Sequence, residues 1–142
     1  MKIIGLDMTS TVILIAAIVV IAAIAAVTWY MRRRPKKINL AEFQDRWKEA
    51  QGLCSKQDTW PLAIINADKL LDEALKKLKY KGKTMGERMV AAQHDITDND
   101  GMWYGHKLRN KLVHEDMKNL KKKDVMTALI GFREALKDLR AL

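Results

Sequence analysis

From Met8 to Met31 the chain runs for 24 residues without a formal charge, between Asp7 and Arg32, and its centre, Thr11 to Val27, is almost wholly Ile, Val, Leu and Ala. At about 1.5 Å per residue a helix of that length reaches roughly 36 Å, more than the ~30 Å hydrocarbon core of a bilayer. One N-terminal transmembrane helix is therefore predicted. A cleaved signal peptide would place its small-residue site at Ala23-Ile24-Ala25, but its apolar region is usually about 7–15 residues long, shorter than the run here. Trp29 and Tyr30 fall where an aromatic interface belt belongs, and Arg32, Arg33, Arg34, Lys36 and Lys37 follow at once. Only Lys2 precedes the run. The positive-inside rule then puts the N-terminus outside and the C-terminal domain in the cytoplasm of a single-pass cell-membrane protein. The expected organisation is an anchor over residues 1–31, a basic juxtamembrane linker over 32–37 and a helical domain over 38–142.

This topology changes the meaning of the net charge of +9. Residues 38–142 carry 20 Lys and Arg against 16 Asp and Glu, a net charge of only +4. Most of the excess lies beside the membrane, where anionic lipid headgroups are the natural partner. Basicity alone is therefore weak support for nucleic-acid binding. Cys54 is the only cysteine and cannot form an intrachain bridge, which agrees with a reducing compartment.

The residues after Pro35 are enough for one compact core. Leu40, Phe43, Trp47, Ala50 and Cys54 recur at helical spacing behind Asn39, a plausible N-cap with Glu42 three residues on. A second helix is predicted from Asp58-Thr59, with Pro61 in its first turn and a stripe of Trp60, Ile64, Ala67, Leu71, Ala74, Leu75 and Leu78. Lys81-Gly82-Lys83 should break it. Thr84 and Glu87 then read as a capping box opening a short helix through Met89 and Val90 to about Ile96. Thr97 to Gly101 reads as a turn. A fourth helix is expected over about Met102–Met117, and a fifth from about Lys121, striped by Val125, Leu129, Phe132, Leu136 and Leu139. Nothing reads as a strand, so the fold expected is all-α: an anchor plus a bundle of four to five helices.

The fourth of these helices carries the chemistry. His106, Asn110 and His114 stand at i, i+4 and i+8 on one stripe, and Arg109 lies beside Leu112 and Val113. A guanidinium so placed needs a carboxylate, a phosphate or a route to solvent. The plain structural account is that Arg109 snorkels from the core edge, Asn110 is solvated and His114 is a favourable cation near a helix C-terminus. Elsewhere the pattern is poor. No H-E-x-x-H, C-x-x-C or G-x-x-x-x-G-K occurs, so neither metal nor cofactor is expected. His94-Asp95 suits a cap or surface, and Lys121-Lys122-Lys123 a solvated turn. Trp47, Trp60 and Trp103 suit the core.

The segment Arg109-Asn110-Lys111-Leu112-Val113-His114 resembles the R-x4-6-H motif of HEPN domains, with a polar Asn after the Arg as in many members. That resemblance covers residues 38–142 and leaves the transmembrane run outside it. It implies a small all-α bundle, a homodimer in which two motifs share a cleft, and metal-independent endoribonuclease activity giving 2′,3′-cyclic phosphate ends. It further implies Arg109, Asn110 and His114 as catalytic residues, RNA as substrate, and His106 and Lys107 as secondary substrate contacts. In chemical terms Arg109 would hold the phosphate through paired donors and His114 would move the proton. The alternative expectation is a non-catalytic helical interaction or scaffold module that holds a protein partner at the cytoplasmic membrane face.

Overall fold

A computed structural model describes residues 7–115 and 119–142, and among these every regular element is helical. The chain divides into two compact units, Met1–Arg34 and Pro35–Leu142.

The first unit contains α1, Met8–Arg33, long and apolar enough to cross a membrane and with no buried side chain. Two of its hydroxyls, those of Thr11 and Thr28, are turned back onto the helix. Thr11 Oγ1 donates to the Asp7 carbonyl at 3.3 Å and Thr28 Oγ1 to the Ala25 carbonyl at 2.9 Å, so neither demands a solvent partner in an apolar medium. At the C-terminal end the Arg33 guanidinium lies 3.8 Å from the centre of the Trp29 ring, and Arg34 stacks at 4.7 Å on Tyr30. Arg34 Nη2 also donates to Tyr30 Oη at 3.0 Å. These cation–π pairs lie at the level where apolar side chains give way to charge, the composition of a membrane interface.

The second unit is a bundle of five helices: α2 (Leu40–Gly52), α3 (Trp60–Lys77), α4 (Met85–Ala92), α5 (Asn99–His114) and α6 (Lys122–Asp138). α3 is central. Ala63, Ile64, Ala67, Leu70, Leu71, Ala74 and Leu75 are all buried on it, and it packs against each of the other four helices. Phe43 and Trp47 of α2, Met89 of α4, Met102 of α5 and Val125, Phe132 and Leu136 of α6 complete one core. Asn39 caps α2 by accepting from Glu42 N at 3.4 Å. Leu40, predicted on the α2 stripe, is exposed, and Cys54 is only partly buried. Two single 3₁₀ turns, Leu53–Ser55 and Gln57–Thr59, carry the chain to α3, and Trp60 Nε1 donates across them to the Cys54 carbonyl at 2.9 Å.

Three boundaries depart from expectation. α3 ends at Lys77, before the Lys-Gly-Lys segment, because Lys79 adopts φ 65° and the Tyr80 N–H folds back to the Leu75 carbonyl at 3.1 Å. This is a Schellman stop made by lysine, where glycine is usual. α4 opens at the predicted Thr84–Glu87 capping box but closes at Ala92, and Val90 is exposed. α5 begins earlier than predicted, at Asn99, because Asp98 Oδ1 accepts from Gly101 N at 2.9 Å and turns the supposed loop into a first helical turn. It is followed as far as His114; the predicted end at Met117 lies outside the described residues.

Glycine explains how closely α5 and α6 approach. A Cβ on Gly131 would overlap the Gly101 carbonyl, and one on Gly105 would lie 2.6 Å from Phe132 Cζ. Backbone therefore meets backbone at one point and an aromatic ring at the next, which fixes the height of α5 against the bundle and with it the residues that follow on its exposed flank.

Candidate functional site

The apolar stripe of α3 has one interruption. Ile64, Leu71 and Leu75 are wholly buried, and Asp68, on the same face between them, is only 3% exposed. A buried carboxylate requires charged or hydrogen-bonded partners, and α5 supplies them. His106 Nδ1 lies 2.8 Å from Asp68 Oδ1, and Arg109 Nε lies 3.4 Å from Asp68 Oδ2. The second contact is an ion pair without hydrogen-bond alignment, since Arg109 Nε is buried and has no hydrogen-bond partner among the described residues.

Asn110 closes the circuit. Its Oδ1 accepts from Arg109 Nη1 at 3.0 Å, which turns its Nδ2 toward His106 Nε2 at 3.4 Å. With the amide so oriented, His106 Nε2 is left as acceptor and Nδ1–H as the donor to Asp68. Asp68, His106, Asn110 and Arg109 thus form a ring in which each member restrains the next. The edge of Trp103 meets His106 with ring centres 6.0 Å apart and planes 73° apart, closing the apolar side of the imidazole.

Among the residues predicted for the site, the structure brings together Arg109, Asn110 and His106. His114 lies two turns beyond His106, exposed at the last residue of α5. Lys107 is exposed on another flank, in a shallow groove with Tyr104, Leu108, Lys111 and Asp124, where Tyr104 Oη donates to Asp124 at 3.1 Å. Burial and the Asp124 carboxylate push the Tyr104 hydroxyl above its ordinary value. Lys107 therefore does not share the setting of His106. The partner that Arg109 required is Asp68, which the motif did not include. Its signal was present in the sequence: an acid at i+4 from Ile64 and i−3 from Leu71, on a face otherwise apolar.

Chemically the ring presents one partly exposed guanidinium, held from behind by a buried carboxylate and from the side by an amide. Arg109 Nη2 takes no part in the hydrogen bonds of the ring. A guanidinium held in this way is prepared for an oxyanion, because its orientation is fixed before a ligand arrives. No cluster of three or more metal-binding side chains occurs among the described residues. No protein-family model, curated protein or solved structure matches the chain, so the chemistry of these side chains is what any functional conclusion must rest on.

Proposed function

We propose that the chain is a membrane-anchored, HEPN-like domain that cleaves RNA without a metal, using Arg109, Asn110 and His114 at a cleft shared by two copies. The observation that carries this reading is the restraint on Arg109: Asp68 and Asn110 hold a guanidinium that is still one-third exposed. In this scheme Arg109 binds the scissile phosphate and stabilises charge on its non-bridging oxygens. One histidine removes the 2′-hydroxyl proton as the 2′ oxygen attacks phosphorus. The bond to the 5′ oxygen breaks, and a second imidazole protonates that leaving oxygen, giving a 2′,3′-cyclic phosphate and a 5′-hydroxyl. His114 of each copy would fill these two roles. The basic segment after α1 supports the orientation with the N-terminus outside and the bundle in the cytoplasm.

The test is cleavage of a mixed-sequence RNA by the full chain in mild detergent with EDTA, beside Arg109→Ala and His114→Ala. Cyclic-phosphate ends made by the parent and reduced at least 100-fold in both variants are expected. A folded parent dimer that leaves every RNA intact would remove the nuclease. The orientation is tested separately by labelling Cys54 with a membrane-impermeant maleimide, which should react only after cells are opened.

One observation favours a binding-only module. The imidazole nearest Arg109 is His106, and both of its nitrogens are already engaged. Phosphate recognition by Arg109 without turnover would then show as RNA binding lost in Arg109→Ala and unchanged in His114→Ala.

A further inference from the structure

Away from the α3–α5 ring, an open groove runs between α2 and α6. Its floor is Trp47 and Leu129, and one end is flanked by Met126 and Ile130, both exposed. Toward the other end Lys48, Arg133 and Lys137 stand along its edges. Among the described residues no Asp or Glu lines either end, although Lys137 Nζ, on the rim, donates to Glu134 Oε1 at 3.2 Å. From Met126 to Lys137 the α6 edge covers 11 steps, about 16 Å at the helical rise, which is three turns of a docked helix. Trp47 is 6% exposed and its Nε1 has no hydrogen-bond acceptor among the described residues, although a buried indole N–H ordinarily finds one.

We propose that this groove receives a short amphipathic helix of a protein partner, apolar at one end and acidic at the other. Shape and charge select that occupant. A concave seat between two helices suits a ridge of side chains at i, i+3/i+4 and i+7 better than it suits the plane of a bilayer. Its rim, with Lys48 and Arg133 beside the Lys137–Glu134 pair, keeps a net positive charge that is complementary to carboxylates and repels a second copy presenting the same rim. The apolar end supplies the anchor pocket, and the basic end sets the direction in which the helix lies. The groove shares no residue with the Asp68 ring, so its occupancy and the proposed RNA chemistry can fail independently.

Cys54 provides the readout, because it is the only thiol in the chain and lines the apolar end. Helical peptides are selected by display against the full chain in zwitterionic nanodiscs, and the enriched peptides are then tested for protection of Cys54 from iodoacetamide. Enriched peptides with an apolar i, i+3/i+4, i+7 face and acidic residues, slowing alkylation at least 5-fold, are expected. Ile130→Glu should abolish that protection, and Arg133→Glu should lose it for the acidic peptide but regain it for a peptide with Lys in place of Glu. Both positions are exposed, so the fold is retained. Absence of enrichment, or enriched peptides that leave Cys54 alkylation unchanged or bind both variants as well as the parent, overturns the proposal. So does a result in which these substitutions alter only adhesion to phosphatidylserine vesicles, which would assign the surface to lipid.

Discussion

Two aspartates one turn apart on α3 each hold an arginine from another helix. Asp72 takes Arg88 of α4 through two bonds, Nε at 3.0 Å and Nη2 at 2.7 Å, while Arg88 Nη1 donates to the Gly82 carbonyl at 2.9 Å. The Arg88 side chain is 8% exposed and all three of its nitrogens are occupied. Asp68 holds Arg109 by a looser 3.4 Å contact, shares itself with His106, and leaves Arg109 one-third exposed. The same pairing of residue types therefore serves two ends. Arg88 is consumed in tying α4 and the preceding loop to the bundle. Arg109 of α5 keeps donor capacity at the surface.

The contrast breaks first at Arg88. Arg88→Met should destabilise the bundle by about 3 kcal/mol, the low end for removing one member of a buried pair, because Asp72 retains Lys76 at 2.7 Å. Arg109→Ala should cost less, about 2 kcal/mol, because buried Asp68 loses its arginine but keeps the His106 hydrogen bond at 2.8 Å, while removing RNA binding or cleavage. Urea denaturation of the full chain in mild detergent measures both. Equal losses at the two positions would mean that Arg109 is as structural as Arg88.

Asp68→Asn sharpens the comparison from the other side. It leaves His106 and Arg109 without their shared anion, and about 2 kcal/mol of stability should go with a hydrogen bond to a charged group. If Arg109 is positioned by Asp68, RNA affinity should fall about tenfold in this variant although the aspartate touches no substrate. Retained affinity alongside reduced stability would make the ring a packing device only.

How far this contrast could be read from sequence depends on whether the signal was local. The Thr84–Glu87 box and the α6 stripe were legible because caps and helical periodicity are written within a few residues, and Val125, Leu129, Phe132 and Leu136 are buried as expected. So was the need of Arg109 for a partner. Asp68 was not identified, because it lies 38 residues before His106 and only packing of α3 on α5 joins them. The α5 start was misread because Asn99, Asp100 and Gly101 have turn composition, whereas the Asp98 cap and the seat of Gly101 against Gly131 make them helical. The α3 stop was hidden because lysine occupies a position where glycine is the usual mark.

Acid and alkali should separate the clusters further. At Asp72 burial works to raise the carboxyl, but hydrogen bonds and charge from Lys76 and Arg88 outweigh it and hold the group below its ordinary value. A folded carboxyl so depressed stabilises above its unfolded value, near 3.9, and that contribution is lost as pH falls through the folded one. Asp72→Asn should therefore flatten the acid limb of the stability curve. Tyr80 has the opposite sign. Its hydroxyl is pushed up to about 12 by burial and by the Asp95 carboxylate, which accepts a hydrogen bond from it at 2.6 Å. The contribution is complete below the unfolded tyrosine value, about 10, and disappears as pH rises through about 12. Tyr80→Phe should remove that alkaline slope, followed by denaturation at fixed pH steps.

The smallest effect concerns the helix stops that frame both clusters. Lys79 and Arg140 have φ of 65° and 55°, a region that penalises a Cβ by roughly 1–2 kcal/mol, part of which glycine returns as greater unfolded-state freedom. Lys79→Gly and Arg140→Gly should each raise stability by about 0.5 kcal/mol. Lys79 lies two residues past the end of the α3 helix that carries Asp68 and Asp72, whereas Arg140 lies two past the end of α6. If fraying of α3 limits how firmly its aspartates hold their arginines, Lys79→Gly should slow amide exchange in the Asp72–Lys77 turn and Arg140→Gly should not. Equal exchange in both variants would show that α3 is held by its buried face alone, with the lysine stop neutral to either cluster.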